Sequence, residues 1–186
     1  MTRIPDPFSW LGEAGQWRLF LLVLFLSVVA LVALNEQGKR LVTAESPQGI
    51  VTFELVGTAD GAARILASWG PEGRVVAGLN LGFDYLFMLV YAVGLSLGAS
   101  IAARQQGRFS EVRKQFGLCL AWAGLLAGLL DAVENYALIK ILFGAGGEFW
   151  PTLSRGCARP KFAIVGVVLT YVISTPIITR MLARAR

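Results

Sequence analysis

Four apolar stretches, each at least 18 residues long, constrain this chain more than any other feature of its sequence. They cover about residues 17–34, 79–103, 116–143 and 162–182. A helix needs about 20 predominantly apolar residues to cross the hydrocarbon core of a bilayer. The composition agrees, since 55% of the residues are apolar and only 16% are charged. The sequence therefore predicts an all-α membrane protein, a four-transmembrane-helix bundle that forms one integral membrane domain over residues 1–186.

An N-terminal interfacial helix is predicted before the first stretch. Residues 6–16 combine Asp6 as a helix cap with Pro7 at the first helical position. Phe8 and Trp10 supply aromatic side chains of the kind that lie at membrane surfaces. We expect this helix to lie on the membrane rather than across it.

The connection 35–78 is predicted to contain short helices on the outer side of the bundle. Its run 50–56 alternates well enough for a strand, but a lone strand in a loop has no partner, so we favour a helix. Thr58 can then cap an amphipathic helix that ends at Gly70-Pro71. Its apolar face consists of Ala62, Ile65, Leu66 and Trp69.

The positions of lysine and arginine predict the orientation. The connection between the second and third stretches and the two termini hold Arg104, Arg108, Arg113, Lys114, Arg3, Arg180, Arg184 and Arg186. The basic residues of the connection 35–78 are spread out and offset by acids. The connection between the third and fourth stretches adds three more basic residues. Cytoplasmic segments carry an excess of basic residues. The sequence therefore predicts a multi-pass protein of the cell (inner) membrane with both termini in the cytoplasm.

The composition also excludes several classes of function. The chain has no histidine, which excludes His-ligated haem, the usual zinc sites and a Ser-His-Asp triad. Cys119 is expected to be a packing residue and Cys157 to lie in a polar loop, and they form no Cys-x-x-Cys pair. The net charge of +5 comes from residues scattered at the ends of apolar stretches, so nucleic-acid binding is not predicted. We predict neither a metal nor a cofactor.

The third stretch has a face of small residues. Gly117, Ala121, Gly124 and Gly128 recur at spacings of four, three and four, which lets a neighbouring helix approach closely. We expect that neighbour to be the second stretch, which carries its own Gly94 and Gly98.

Carboxylates continue this small-residue face. Asp131 and Asn135 lie on it, with Glu134 beside them, and Asp84 lies at a similar depth in the second stretch. An Asp-like charge inside a membrane costs about 2.5–3.5 kcal/mol on insertion scales. Such acids must bind protons or cations, and Lys140 and Lys161 are candidate partners. The candidate ligand-binding residues are Asp84, Tyr91, Asp131, Glu134, Asn135, Lys140 and Lys161.

These residues predict a carboxylate-rich polar pocket in the outer leaflet that binds a lipid or another amphiphilic ligand. Membrane lipids are the expected partners, with other membrane subunits or self-association left open. One alternative is an accessory or structural subunit of a larger membrane protein complex. A second is a membrane enzyme acting on a lipid, in which a carboxylate serves as general acid or base. A third is an ion-pair network that only fixes the helix register.

Overall fold

The computed structural model describes residues 3–184, and every regular element in this range is helical. The elements are α1 (Glu13–Gly38), α2 (Ile50–Leu55), α3 (Ala59–Gly107), α4 (Glu111–Leu142) and α5 (Phe149–Arg184), with one turn of 3-10 helix at Lys39–Leu41. Helices α1, α3, α4 and α5 are long and apolar enough to cross a membrane. The predictions of an all-α fold and of four long apolar helices are thus confirmed. Arg186, one of the residues that predict the orientation, lies outside the described residues.

The surface of α1 is apolar on nearly every side. Its buried stripe includes Val23, Ala30 and Leu34, whereas Phe25 and Val32 are among many large apolar side chains that remain exposed. A helix in water would expose polar residues on the faces that do not pack. The pattern is that of a helix with one face on a protein and the others in hydrocarbon.

The helix predicted over residues 6–16 is wrong for most of its length, because Asp6–Leu11 forms turns and α1 begins at Glu13. Asp6 Oδ1 accepts a hydrogen bond from the backbone N–H of Phe8 at 2.9 Å. The side-chain amide of Gln16 donates to the carbonyl oxygen of Phe8 at 2.7 Å. Asp6 thus makes the bond of a helix cap, but the backbone bonds that follow are those of turns, from Ser9 N–H to the Asp6 carbonyl oxygen at 3.1 Å and from Leu11 N–H to that of Phe8 at 2.9 Å.

The start of α5 also differs from the prediction. The helix begins at Phe149, about three turns before the predicted span, and Pro151 lies in its first turn, where a missing N–H costs no helical bond. Cys157 is consequently a buried residue of α5 and not part of a polar loop. Cys119, expected to pack inside the bundle, is exposed on α4.

Residues 39–69, which we call the cap, cover one end of the bundle. The run 50–56 forms the short helix α2, as favoured from the sequence, and Thr58 Oγ1 accepts from the N–H of Gly61 at 3.3 Å at the start of α3. Gly70 then kinks α3 with a φ of 62°, a left-handed conformation that favours glycine. The apolar face of this first part of α3 is buried with Leu41 and Phe53 against the ends of α3 and α4.

The small-residue face of α4 packs on α3, as predicted. A Cβ atom added to Gly124 would lie 3.1 Å from the backbone nitrogen of Ser96, and one added to Gly128 would lie 2.7 Å from the Cβ of Ala92. The two backbones therefore approach too closely for larger side chains. This contact turns the continuation of the same face, with its carboxylates, into the protein.

Gly94 and Gly98 do not face α4, contrary to the expectation. A Cβ on Gly94 would meet Val23 of α1 at 3.4 Å. A Cβ on Gly98 would meet Phe20 of α1 at 3.1 Å and Val172 of α5 at 3.3 Å. These glycines lie on a different side of α3 from Ala92 and Ser96, and they admit the two outer helices.

Gly124→Leu or Gly128→Leu should each lower the free energy of unfolding by at least about 1–3 kcal/mol, the usual cost of overpacking. The matched control is Gly166→Leu in α5, where an added Cβ meets no atom within 4 Å. Unfolding curves of the purified variants in detergent would measure the difference. An unchanged stability of Gly124→Leu and Gly128→Leu would contradict the close α3–α4 contact.

Candidate functional site

Polar side chains from three long helices converge beside the cap. Six of the seven candidate residues take part. They are Asp84 and Tyr91 of α3, Asp131, Glu134 and Asn135 of α4, and Lys161 of α5. The three members on α4 lie on or beside its inward-packing face, and the sequence places Asp84 at a similar depth in the neighbouring helix.

Lys161 is the centre of the cluster, and its side chain is only 8% exposed. Its Nζ lies 3.0 Å from Asp131 Oδ1 and 2.9 Å from Glu134 Oε2. A third carboxylate oxygen, Glu54 Oε2, lies 3.6 Å away. One ammonium group thus joins α2, α4 and α5 through three carboxylates.

Two further hydrogen bonds connect α3 to α4. The hydroxyl of Tyr91 donates to Asp131 Oδ2 at 2.6 Å, so both oxygens of Asp131 have partners. The side-chain amide of Asn135 donates to Asp84 Oδ2 at 2.6 Å. Within the described residues Asp84 has no ion pair.

Glu54 is the member of the cluster that the sequence interpretation missed. The residue is buried, and α2 is held against α5 by a hydrogen bond from Ser154 Oγ to the carbonyl oxygen of Glu54 at 3.1 Å. Burial raises the pKa of the Glu54 carboxyl above its ordinary value, and the Lys161 ammonium partly opposes this shift. A lone acid inside the apolar run 50–56 was the available signal in the sequence.

Lys140 does not join the cluster, contrary to the expectation. It is half-buried, and its Nζ lies 5.3 Å from the centre of the Tyr136 ring. Lys140 lies six positions after Glu134, and at 3.6 residues per turn this spacing places the two residues on different faces of α4. Snorkelling cannot bring its ammonium to Asp131 around the helix.

The charges of the cluster do not balance. Three carboxylates share Lys161, and a fourth, Asp84, is joined to the cluster through Asn135. Glu134 is fully buried, and its Oε1 has no hydrogen-bond partner. Within residues 3–184 no group of three or more acidic or cysteine side chains has a geometry that could hold a metal ion. Such a site must take up protons or an additional cation, because unpaired charge is costly away from water.

A cavity of about 730 Å³ opens beside the cluster. Glu54, Asp84, Asp131 and Lys161 line its polar end. Its apolar walls come from α1 and α5 and include Leu24, Val28, Leu31, Val165 and Leu169. The volume lies within the range of about 300–1,000 Å³ that is typical of small-molecule sites.

The cavity exists because α1 and α5 flank α3 without packing along each other. α1 packs on α3, whereas α5 packs on α4 and α3. At Gly98 the two outer helices come together through Phe20 and Val172. Toward the cap, side chains of both helices line the cavity, which is bounded by the carboxylates on one side and by cap residues such as Ile50 and Val51 above.

Lys161→Met should destabilise the protein by about 3–5 kcal/mol, because it leaves buried carboxylates without their cation. Glu134→Gln should leave stability unchanged or raise it, since Lys161 keeps Asp131 and Glu54 as partners. Lys39→Met is the matched control at an exposed lysine, where an ion pair contributes at most about 1 kcal/mol. Unfolding in detergent would compare the three variants. Equal destabilisation by Glu134→Gln and Lys161→Met would show that the cluster is a balanced structural network.

Comparison of the chain with protein-family models, with curated proteins and with solved structures finds no match. The contacts, the cavity and the charges of this cluster therefore carry the functional assignment by themselves.

Proposed function

We propose that this protein binds a lipid or another amphiphilic molecule in the cavity between α1, α3 and α5. The single observation that carries this proposal is a cavity of about 730 Å³ whose walls are apolar and whose one end is charged. An amphiphile has the same distribution of properties, with a chain for the walls and a headgroup for the polar end. Ligand sites are characteristically apolar with a few polar groups that fix orientation.

The proposed setting is the cell (inner) membrane, crossed four times, with both termini in the cytoplasm. Support comes from the basic residues of the α3–α4 connection, Arg104, Arg108, Arg113 and Lys114. The cap would then lie outside, and the carboxylate cluster would face the outer leaflet. An amphiphile could reach the cavity sideways from the lipid, between the ends of α1 and α5 that line it.

Blocking the cavity should remove the bound molecule. Val28 and Val29 are adjacent on α1 and similarly exposed, at 54% and 51%, but only Val28 lines the cavity. We expect wild-type protein and Val29→Trp, extracted in mild detergent with its own lipids, to retain an amphiphile in native mass spectrometry. Val28→Trp should lose it. Equal retention by the two variants, or a wild-type protein with nothing bound, would contradict the proposal.

The orientation can be tested with single cysteines in a variant that carries Cys119→Ala and Cys157→Ala. Gly146→Cys in the α4–α5 connection should react with a membrane-impermeant maleimide in intact cells. Val112→Cys, exposed at the start of α4, should react only after permeabilisation. The opposite labelling pattern would reverse the proposed orientation.

A further inference from the structure

We infer that the headgroup bound in the cavity is a protonated amine and that its charge partner is Asp84. This inference rests on the proposed function, because it names the class of amphiphile that the same cavity would take. Four carboxylates and one lysine meet at the polar end. The cluster can therefore take up one more positive charge, as a proton on a carboxyl group or as a bound cation, and the cavity beside Asp84 favours a bound cation. A proton on Asp84 would give the amine no advantage over a neutral headgroup.

Asp84 is the cavity carboxylate that is left without a cation. Asp131, Glu134 and Glu54 all lie within 3.6 Å of Lys161 Nζ. Asp84 instead has the uncharged amide of Asn135 on one oxygen, and it lines the cavity. An ammonium group beside Asp84 would form a charge-assisted hydrogen bond, which is about twice as strong as a neutral one.

An anionic headgroup does not fit this lining. Lys161 is engaged by three carboxylates, and Lys39, the other lysine on the cavity wall, is exposed and paired with Glu36 at 2.6 Å. A phosphate or carboxylate placed at the polar end would meet like charges and, among the described lining residues, no unengaged cation. Repulsion between like charges in this partly buried site therefore selects against anionic lipids.

A metal ion is also a poor match for the missing charge. The described residues contain no group of three or more acidic or cysteine side chains placed to hold one. An ammonium needs hydrogen-bond acceptors rather than a closed coordination shell. The cavity wall has an acceptor to offer, since Oε2 of Glu54, a lining residue, has no hydrogen-bond partner. The apolar walls formed by Val28, Leu31, Val165 and Leu169 then provide a place for the chain of the same molecule.

The test uses three probes that share a sixteen-carbon chain and differ in headgroup charge: hexadecylamine, N-hexadecylacetamide and hexadecanoate. Each is added at equal concentration to the purified full-length protein in detergent at neutral pH, and retention is measured by native mass spectrometry. We expect hexadecylamine to be retained at least about tenfold better than the other two, as one charge-assisted hydrogen bond implies. Asp84→Asn should abolish this preference. Asp60→Asn, the same change at an exposed residue, should leave it unchanged.

Equal retention of the three probes, or preference for hexadecanoate, would overturn the amine assignment. If such binding were still lost in Val28→Trp, the proposed function would stand. Loss of all binding in both Val28→Trp and Val29→Trp would overturn the cavity as the site. The wild-type series measures the headgroup preference even if Asp84→Asn does not fold, and Asp84→Glu, which keeps the charge, should keep the preference for the amine.

Discussion

The ion pairs of Lys161 are the interaction on which the arrangement of this protein depends. A single ammonium lies within 3.6 Å of carboxylates from α2 and α4 while it belongs to α5. Buried carboxylates are expensive, and removal of Lys161 would leave these three without an ion-pair partner among the described residues. The same interaction fixes where α5 lies against α4 and holds α2 over the bundle. It leaves Asp84 without an ion-pair partner among the described residues.

The smooth face of α4 provides the second constraint. Because Gly124 and Gly128 bring α4 against α3, the residues one or two turns further along the same face are also turned toward α3. Asp131 and Asn135 are directed inward by this packing rather than by their own preference. Close packing at one end of the α3–α4 contact thus positions the polar cluster at the other end.

The cavity between α1, α3 and α5 is what distinguishes this cluster from a fully buried ion-pair network. Phe20 and Val172 close the space at Gly98, and toward the cap side chains of both helices line a cavity of about 730 Å³. In an ion-pair network without a cavity, each charged group would have its partner within the network. Here Asp84 has an amide partner on one side and open volume on the other, which is the arrangement expected where a further molecule binds.

The sequence by itself determined the four apolar helices, the face of α4 that contacts α3 and the acids that continue it, because hydropathy and helical periodicity are properties of neighbouring residues. Only the tertiary structure decided that Glu54 joins the cluster and that Gly94 and Gly98 face the outer helices. These outcomes depend on the rotation of each helix and on where the cap folds back. Both are set by contacts between residues far apart in the chain, and no local pattern encodes them.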